Sequence, residues 1–168
     1  MIELLNAVAD KDAAYEDFAV WRYGEVLLEA WQRQGAIVRL ARNVELAVRF
    51  DLDGLEVSAA WWYAPPAQIE RYRTAVADPA SGPRLTTIIR KLEREGVAIS
   101  GDLLKRPLRG HPVDHPRSQL LRHRSLIATH PLGCDAWIHT AGAADRVIGA
   151  FTRLRPLTRW LVEHVSRA

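Results

Sequence analysis

One cysteine and one methionine occur among the 168 residues. A lone thiol, Cys134, cannot form an internal disulfide, so a disulfide scaffold is excluded and a reducing, cytoplasmic setting is expected. No apolar run approaches the ~20 residues that a membrane-spanning helix needs. The opening Met1-Ile-Glu-Leu-Leu-Asn lacks the basic start of a secretory leader, so no export signal and no membrane partner are expected. Internal repeats and low-complexity tracts are missing too. So are G-x-G-x-x-G, the G-x-x-x-x-G-K-S/T phosphate loop, G-x-S-x-G, H-E-x-x-H and paired C-x-x-C, which removes the usual support for nucleotide-binding, hydrolase and zinc-site readings.

What is present is ordinary globular composition, with 48% hydrophobic and 26% charged residues. It predicts a single domain over residues 1–168, which at this length buries roughly 70% of its unfolded surface without needing a metal or disulfide. The net charge of +3 conceals a polarity: residues 1–83 carry 8 Lys and Arg against 13 Asp and Glu, whereas residues 84–168 carry 15 against 7. A basic half attracts anions of any kind, from nucleic acid to phosphorylated metabolites and carboxylates; a solvated, solubilising face is the plain alternative.

Periodicity supplies the fold class. Val26, Leu27, Ala30 and Trp31 fall at helical spacing, predicting a helix over residues 24–34 that stops before Gly35. The period then changes to two. Leu46, Val48, Phe50 and Leu52 alternate with polar or small neighbours, and Leu55, Val57, Ala59, Trp61 and Tyr63 do so after Asp53-Gly54. Asp-Gly between two such runs predicts a hairpin with a type I′ turn. Residues 36–41 predict a third strand of an antiparallel meander.

Helical spacing returns at Pro66, with Ile69, Tyr72, Arg73 and Val76 on one face. It returns again over residues 81–95, with Ser81 as N-cap, Leu85, Ile88, Ile89 and Leu92 buried, and Gly96 as stop. Residues 97–100 and 126–129 predict short strands, and residues 101–116 an ordered loop leading to a helix start at Asp114-His115-Pro116. From Ala141 a C-terminal helix carries Ala144, Val147, Ile148, Phe151 and Leu154. Pro156 is expected to break or kink it before Leu157, Trp160 and Leu161 resume the stripe. The class expected is α+β, an antiparallel meander covered on one face by helices.

The densest chemistry lies in Lys105-Arg106-Pro107-Leu108-Arg109-Gly110-His111-Pro112-Val113-Asp114-His115-Pro116. Lys105, Arg106 and Arg109 suit a carboxylate or phosphate, arginine through its planar fork of donors. His111 and His115 are candidate proton carriers, with Asp114 able to orient a neighbouring imidazole. The structural alternative has Asp114 capping the next helix and Arg109 bonding loop carbonyls or helix C-termini. A metal site on His111, Asp114 and His115 is disfavoured, since the prolines prevent helical i, i+4 spacing, and no metal ligand is assigned.

Strand parity puts Trp62 on the face opposite Trp61 and Tyr63, together with Arg49 and Ser58, making Trp62 and Arg49 candidate ligand contacts. A covering helix or a subunit contact accounts for an outward Trp62 equally well. Cys134, between His130 and His139, is more simply a turn thiol than a nucleophile, and Asp51 and Asp53 are more simply turn residues than an acid pair.

The order of Asp53-Gly54, the aromatic strand end, Gln68-Ile69-Glu70-Arg71-Tyr72-Arg73, Leu104-Lys105-Arg106-Pro107 with Arg109-Gly110, Asp114-His115-Pro116 and Leu120 to Ser125 resembles the domain of unknown function 2461 family. Arg155-Pro156-Leu157 and Trp160-Leu161 fit its ending. The resemblance covers about residues 46–165 and implies a cytoplasmic, mainly bacterial α+β protein with no established activity and no catalytic residue to carry over. The N-terminal part departs from the pattern: a basic segment of the family is replaced by Asp17-Phe18-Ala19-Val20-Trp21-Arg22-Tyr23, and if that segment faces a ligand in relatives, this chain is expected to bind something else or form a specialised branch.

The leading reading is a small-molecule protein, as an enzyme or a binder, that holds an anionic ligand through the basic loop. The alternatives are a nucleic-acid-binding module using the basic half, for which no recognition motif speaks, and a non-catalytic oligomer subunit. No specific nucleic acid is expected and no cofactor is indicated.

Overall fold

The alternating runs become a six-stranded antiparallel sheet in the computed structural model, which describes residues 1–23, 33–106 and 115–166. Helix α1 (Ile2–Lys11) and a 3-10 turn (Ala13–Tyr15) lead into β1 (Phe18–Tyr23), β2 (Arg33–Ala41), β3 (Val44–Asp51) and β4 (Gly54–Trp61). There follow α2 (Pro66–Ala77), α3 (Ser81–Arg94), β5 (Ala98–Ser100), α4 (Ser118–Leu121) and β6 (Leu126–Gly133). A 3-10 turn (Ala136–His139), α5 (Gly142–Leu161) and a π turn (Val162–Ser166) complete the described chain. The strand order β1-β2-β3-β4-β6-β5 inserts β6 between β4 and the short edge strand β5. The fold is α+β, as the period-two and helical patterns require.

Two elements add to those expected: α1, whose buried stripe is only Leu5 and Val8, and β1, which pairs with β2. The helix expected over residues 24–34 lies mostly outside the described residues. Where description resumes, Arg33 and Gln34 already belong to β2, and Gly35 pairs with Trp21 on one side and Arg49 on the other. Gly35 is therefore a strand residue rather than a helix stop, because neighbours on both sides satisfy its backbone.

The β3–β4 hairpin forms as expected, but its turn sits one residue earlier. Asp51 pairs with Gly54, leaving Leu52 and Asp53 as the two central residues. Neither has positive φ, so the turn is not type I′; Gly54 alone does, at 108°. The Asp51 carboxylate accepts the Asp53 N–H at 3.0 Å, an Asx turn that sets up the reversal. A side chain at Gly54 would also collide with the Gly133 carbonyl of β6, so both φ and space call for glycine.

Strand parity decides what the sheet buries. Val44, Leu46, Val48, Val57, Ala59 and Trp61 are buried against the helices, α5 lying across β3 and β4. Trp61 stacks on Tyr72 of α2 with ring centroids 4.7 Å apart, and Tyr72 meets Trp160 of α5 edge-on at 6.0 Å. Of the break or kink expected at Pro156 the break does not occur, since α5 runs on through it. A proline inside a helix costs about 3 kcal/mol. Phe151, Leu154, Leu157, Trp160 and Leu161, all fully buried on its inner face, hold the turn together. α3 starts at Ser81, but the cap is Asp78, whose carboxylate accepts the N–H groups of Ala80 and Ser81 at 2.9 and 2.8 Å. Those bonds hold the Asp78 carboxyl below its usual range.

Candidate functional site

The end of the sheet where β4 finishes and β6 begins gathers most of the described candidates. β5 and β4 flank β6 and both run antiparallel to it, so their C-terminal ends lie side by side. Trp62 leaves β4 at this end, and the chain that leaves β5 continues along β6 through a Leu103–His123 bridge and a Leu104 N–H bond to the Arg122 carbonyl at 2.9 Å. Lys105 and Arg106 come next, both exposed. The Arg122 guanidinium donates to the Leu104 carbonyl at 2.8 Å, anchoring the start of the basic segment. Arg109, His111 and Asp114 lie outside the described residues.

The same end is stiffened from below. The turn between β2 and β3 has Asn43 in the left-handed region at φ 65°, where its amide donates to the Tyr63 carbonyl at 3.2 Å. Tyr63 is itself left-handed, φ 49°, and is 84% exposed. Positive φ is uncommon for an aromatic residue. Buried Gln68 links the layers, accepting from the Trp61 indole and donating to the Arg42 carbonyl, each at 3.2 Å.

Trp62 points to the face opposite Trp61, as parity predicts, and is half-buried beside Tyr63 with ring centroids 5.2 Å apart. On that face the register places Glu45 across from Ala60, one step diagonally from Trp62. Glu45 is a contributor that sequence reasoning missed. One of its carboxylate oxygens, Oε1, is buried with no hydrogen-bond partner. Burial pushes its pKa up, against the opposing pull of the Trp62 indole N–H and of Arg39. The signal was available: Glu45 shares strand parity with Arg49.

Arg49 occupies the other end of the hairpin. It pairs with Glu56 across the strands at 2.7 Å and with Asp51 at 3.7 Å. The six steps from Glu56 to Trp62 span roughly 20 Å, so Arg49 and Trp62 share a face but not a site.

His115 begins the chain into α4. Its Nδ1 accepts the Arg117 N–H at 3.1 Å, which puts the proton of the neutral ring on Nε2. Arg117 then fills the structural role considered above for Arg109: its guanidinium donates to the Val76 and Ala77 carbonyls at 2.6 and 2.9 Å and closes the C-terminus of α2. Among the described residues no three His, Cys, Asp or Glu side chains are grouped to hold a metal ion. Cys134 is exposed. No described helix is long and apolar enough to cross a membrane.

An antiparallel sheet with helices on one face and an aromatic corner at one end defines an α+β protein. The family described as conserved hypothetical protein (DUF2461) matches residues 34–160, and the chain belongs to that family. No curated protein and no solved structure matches the chain.

Proposed function

We propose that this protein binds a small anionic molecule at the sheet end from which the basic segment departs. Lys105, Arg106 and Arg109 are its anion contacts, Trp62 is the stacking floor for a planar portion, and His111 and His115 are the proton carriers. The observation that supports this reading most is the strand order β4-β6-β5, which brings the Trp62 end of β4 and the start of the basic segment to one end of the sheet. Arg49, ion-paired at the far end of the hairpin, takes no part. The exposed single thiol fits a cytoplasmic location.

Arg109→Lys tests it, because the change keeps the charge and removes the bidentate fork. A screen of co-purifying metabolites by native mass spectrometry identifies the ligand, and calorimetry measures its affinity. The variant is expected to melt with the wild type yet bind the ligand about tenfold more weakly; Trp62→Ala is expected to weaken binding by a similar factor. A lower melting temperature with unchanged affinity makes Arg109 a structural residue and overturns the assignment.

A further inference from the structure

On the opposite, helix-covered face of the sheet a second cleft combines an apolar floor with arginines drawn from distant parts of the chain. Leu40 and Val162, each partly buried, form its apolar floor, backed by Tyr15, Leu46 and Phe151, which are buried. Tyr15 and Phe151 lie against each other with ring centroids 4.9 Å apart. Arg84 of α3 and Arg155 and Arg159 of α5 stand around it. The cleft encloses about 430 Å³. That falls within the ~300–1,000 Å³ that small-molecule sites occupy, and an apolar floor with a few convergent polar groups is their usual make-up.

The charges around the cleft are unequally committed. Arg155 donates to the Asp12 carboxylate at 2.7 Å and to the Tyr15 hydroxyl, and its ring-facing guanidinium sits 5.6 Å from the centre of the Tyr15 ring. Those bonds hold Arg155 firmly protonated, while Asp12 is kept below the usual carboxylate range by the Ala14 N–H first and by Arg155 second. Arg84 faces Glu163 at 3.4 Å. Arg159 is exposed and, among the described residues, has neither an ion pair nor a hydrogen-bond partner. Three guanidinium groups against the carboxylates of Asp12 and Glu163 leave one positive charge, and it resides on the arginine without a partner.

We propose that this cleft is a binding site for a monocarboxylate with an aromatic or aliphatic body, its carboxylate held by Arg159 and its body laid against Leu40 and Val162. One uncommitted planar fork matches one carboxylate in a bidentate pair. A phosphate dianion is the poorer fit, because compensating its second charge means breaking an existing pair, Arg84 from Glu163 or Arg155 from Asp12. The partly buried Leu40 and Val162 suit an apolar body, whose transfer from water adds about 25 cal/mol for each Å² covered. This site is separate from the sheet-end site, which lies on the other face and uses none of these residues.

Saturation-transfer NMR and thermal-shift titrations at neutral pH test it, using benzoate, indole-3-acetate and hexanoate as probes and benzamide and inorganic phosphate as controls. At least one carboxylate is expected to bind saturably, with benzamide, which keeps the ring and lacks the charge, failing to compete. Arg159→Ala is expected to weaken that binding about tenfold or more and leave the melting temperature of the free protein unchanged; Arg159→Lys loses less, and Arg90→Ala, an exposed arginine outside the cleft, loses nothing. The proposal is overturned if none of the three carboxylates binds saturably, if binding survives Arg159→Ala, or if phosphate displaces the carboxylate at equal concentration.

Discussion

The two faces of the sheet carry two differently made regions. The contacts proposed for the sheet end are nearly continuous in sequence, Lys105 to His115, while strand pairing sets Glu45 across from Ala60, on the face of Trp62. In the helix-side cleft, Asp12, Arg84, Arg155 and Arg159 come from three separate stretches, and only tertiary packing brings them together. The regions are nonetheless joined at one dipeptide. Glu45 faces the sheet-end region and Leu46, the next residue, backs the cleft floor. A chain signature thus marks a surface segment, whereas a cleft over a core needs no signature at all.

The comparison is broken most strongly from beneath the cleft floor. Phe151 is fully buried against Tyr15, so Phe151→Ala is expected to cost about 3–5 kcal/mol in chemical denaturation, from lost transfer energy and the cavity left behind. Trp62→Ala, half-buried at the sheet end, is expected to cost about 1 kcal/mol. Equal losses would mean that Trp62 belongs to a packed core and that the two regions are built alike.

A smaller effect is expected at the turn that sets the register of both regions. Gly54→Val places a β-branched residue at φ 108° and drives its Cβ into the Gly133 carbonyl. The expected loss is at least about 2 kcal/mol. Because a one-residue slip would exchange the faces of Glu45 and Leu46, the variant also tests whether the turn protects the division between regions. A variant as stable as the wild type shows that the strand pairs alone set the register.

The finest distinction is the sign of the pH dependence. Asp12 in the cleft has its folded pKa depressed, so the stability it contributes is present above its ordinary value of 3.8 and is lost as pH falls below it. Glu45 has its folded pKa raised above 4.5, so its ionisation opposes folding, and stability falls as pH rises from 4.5 through the folded pKa. In urea titrations across pH, Asp12→Asn is expected to flatten the acid limb, whereas Glu45→Gln is expected to raise stability at neutral pH. A Glu45→Gln variant less stable than the wild type at neutral pH would show that the carboxylate is paired rather than stranded.

How much of this was legible beforehand follows from the range of each interaction. The hairpin, α2, α3 and the inner face of α5 were readable because burial on one side of a regular element leaves a period of two or about 3.6 in the sequence. The turn was placed one residue late because Asp53-Gly54 suits two reversals, and the pairing of Asp51 with Gly54 chose between them. Pro156 read as a break or kink because its local cost is visible, whereas the packing of Phe151, Leu154, Leu157 and Trp160 that offsets it is not.

For the sites, the sequence by itself determined that the positive charge belongs to residues 84–168, and that Trp62 points away from the face of Trp61. Only the tertiary structure decided where those charges are spent. Arg117 closes α2, Arg155 binds Asp12 across 143 residues of chain, and Arg159 has no partner among the described residues. Whether a guanidinium is committed depends on which carboxylates and carbonyls come within about 3 Å of it, and that distance is set by packing between elements remote in the chain rather than by spacing within it.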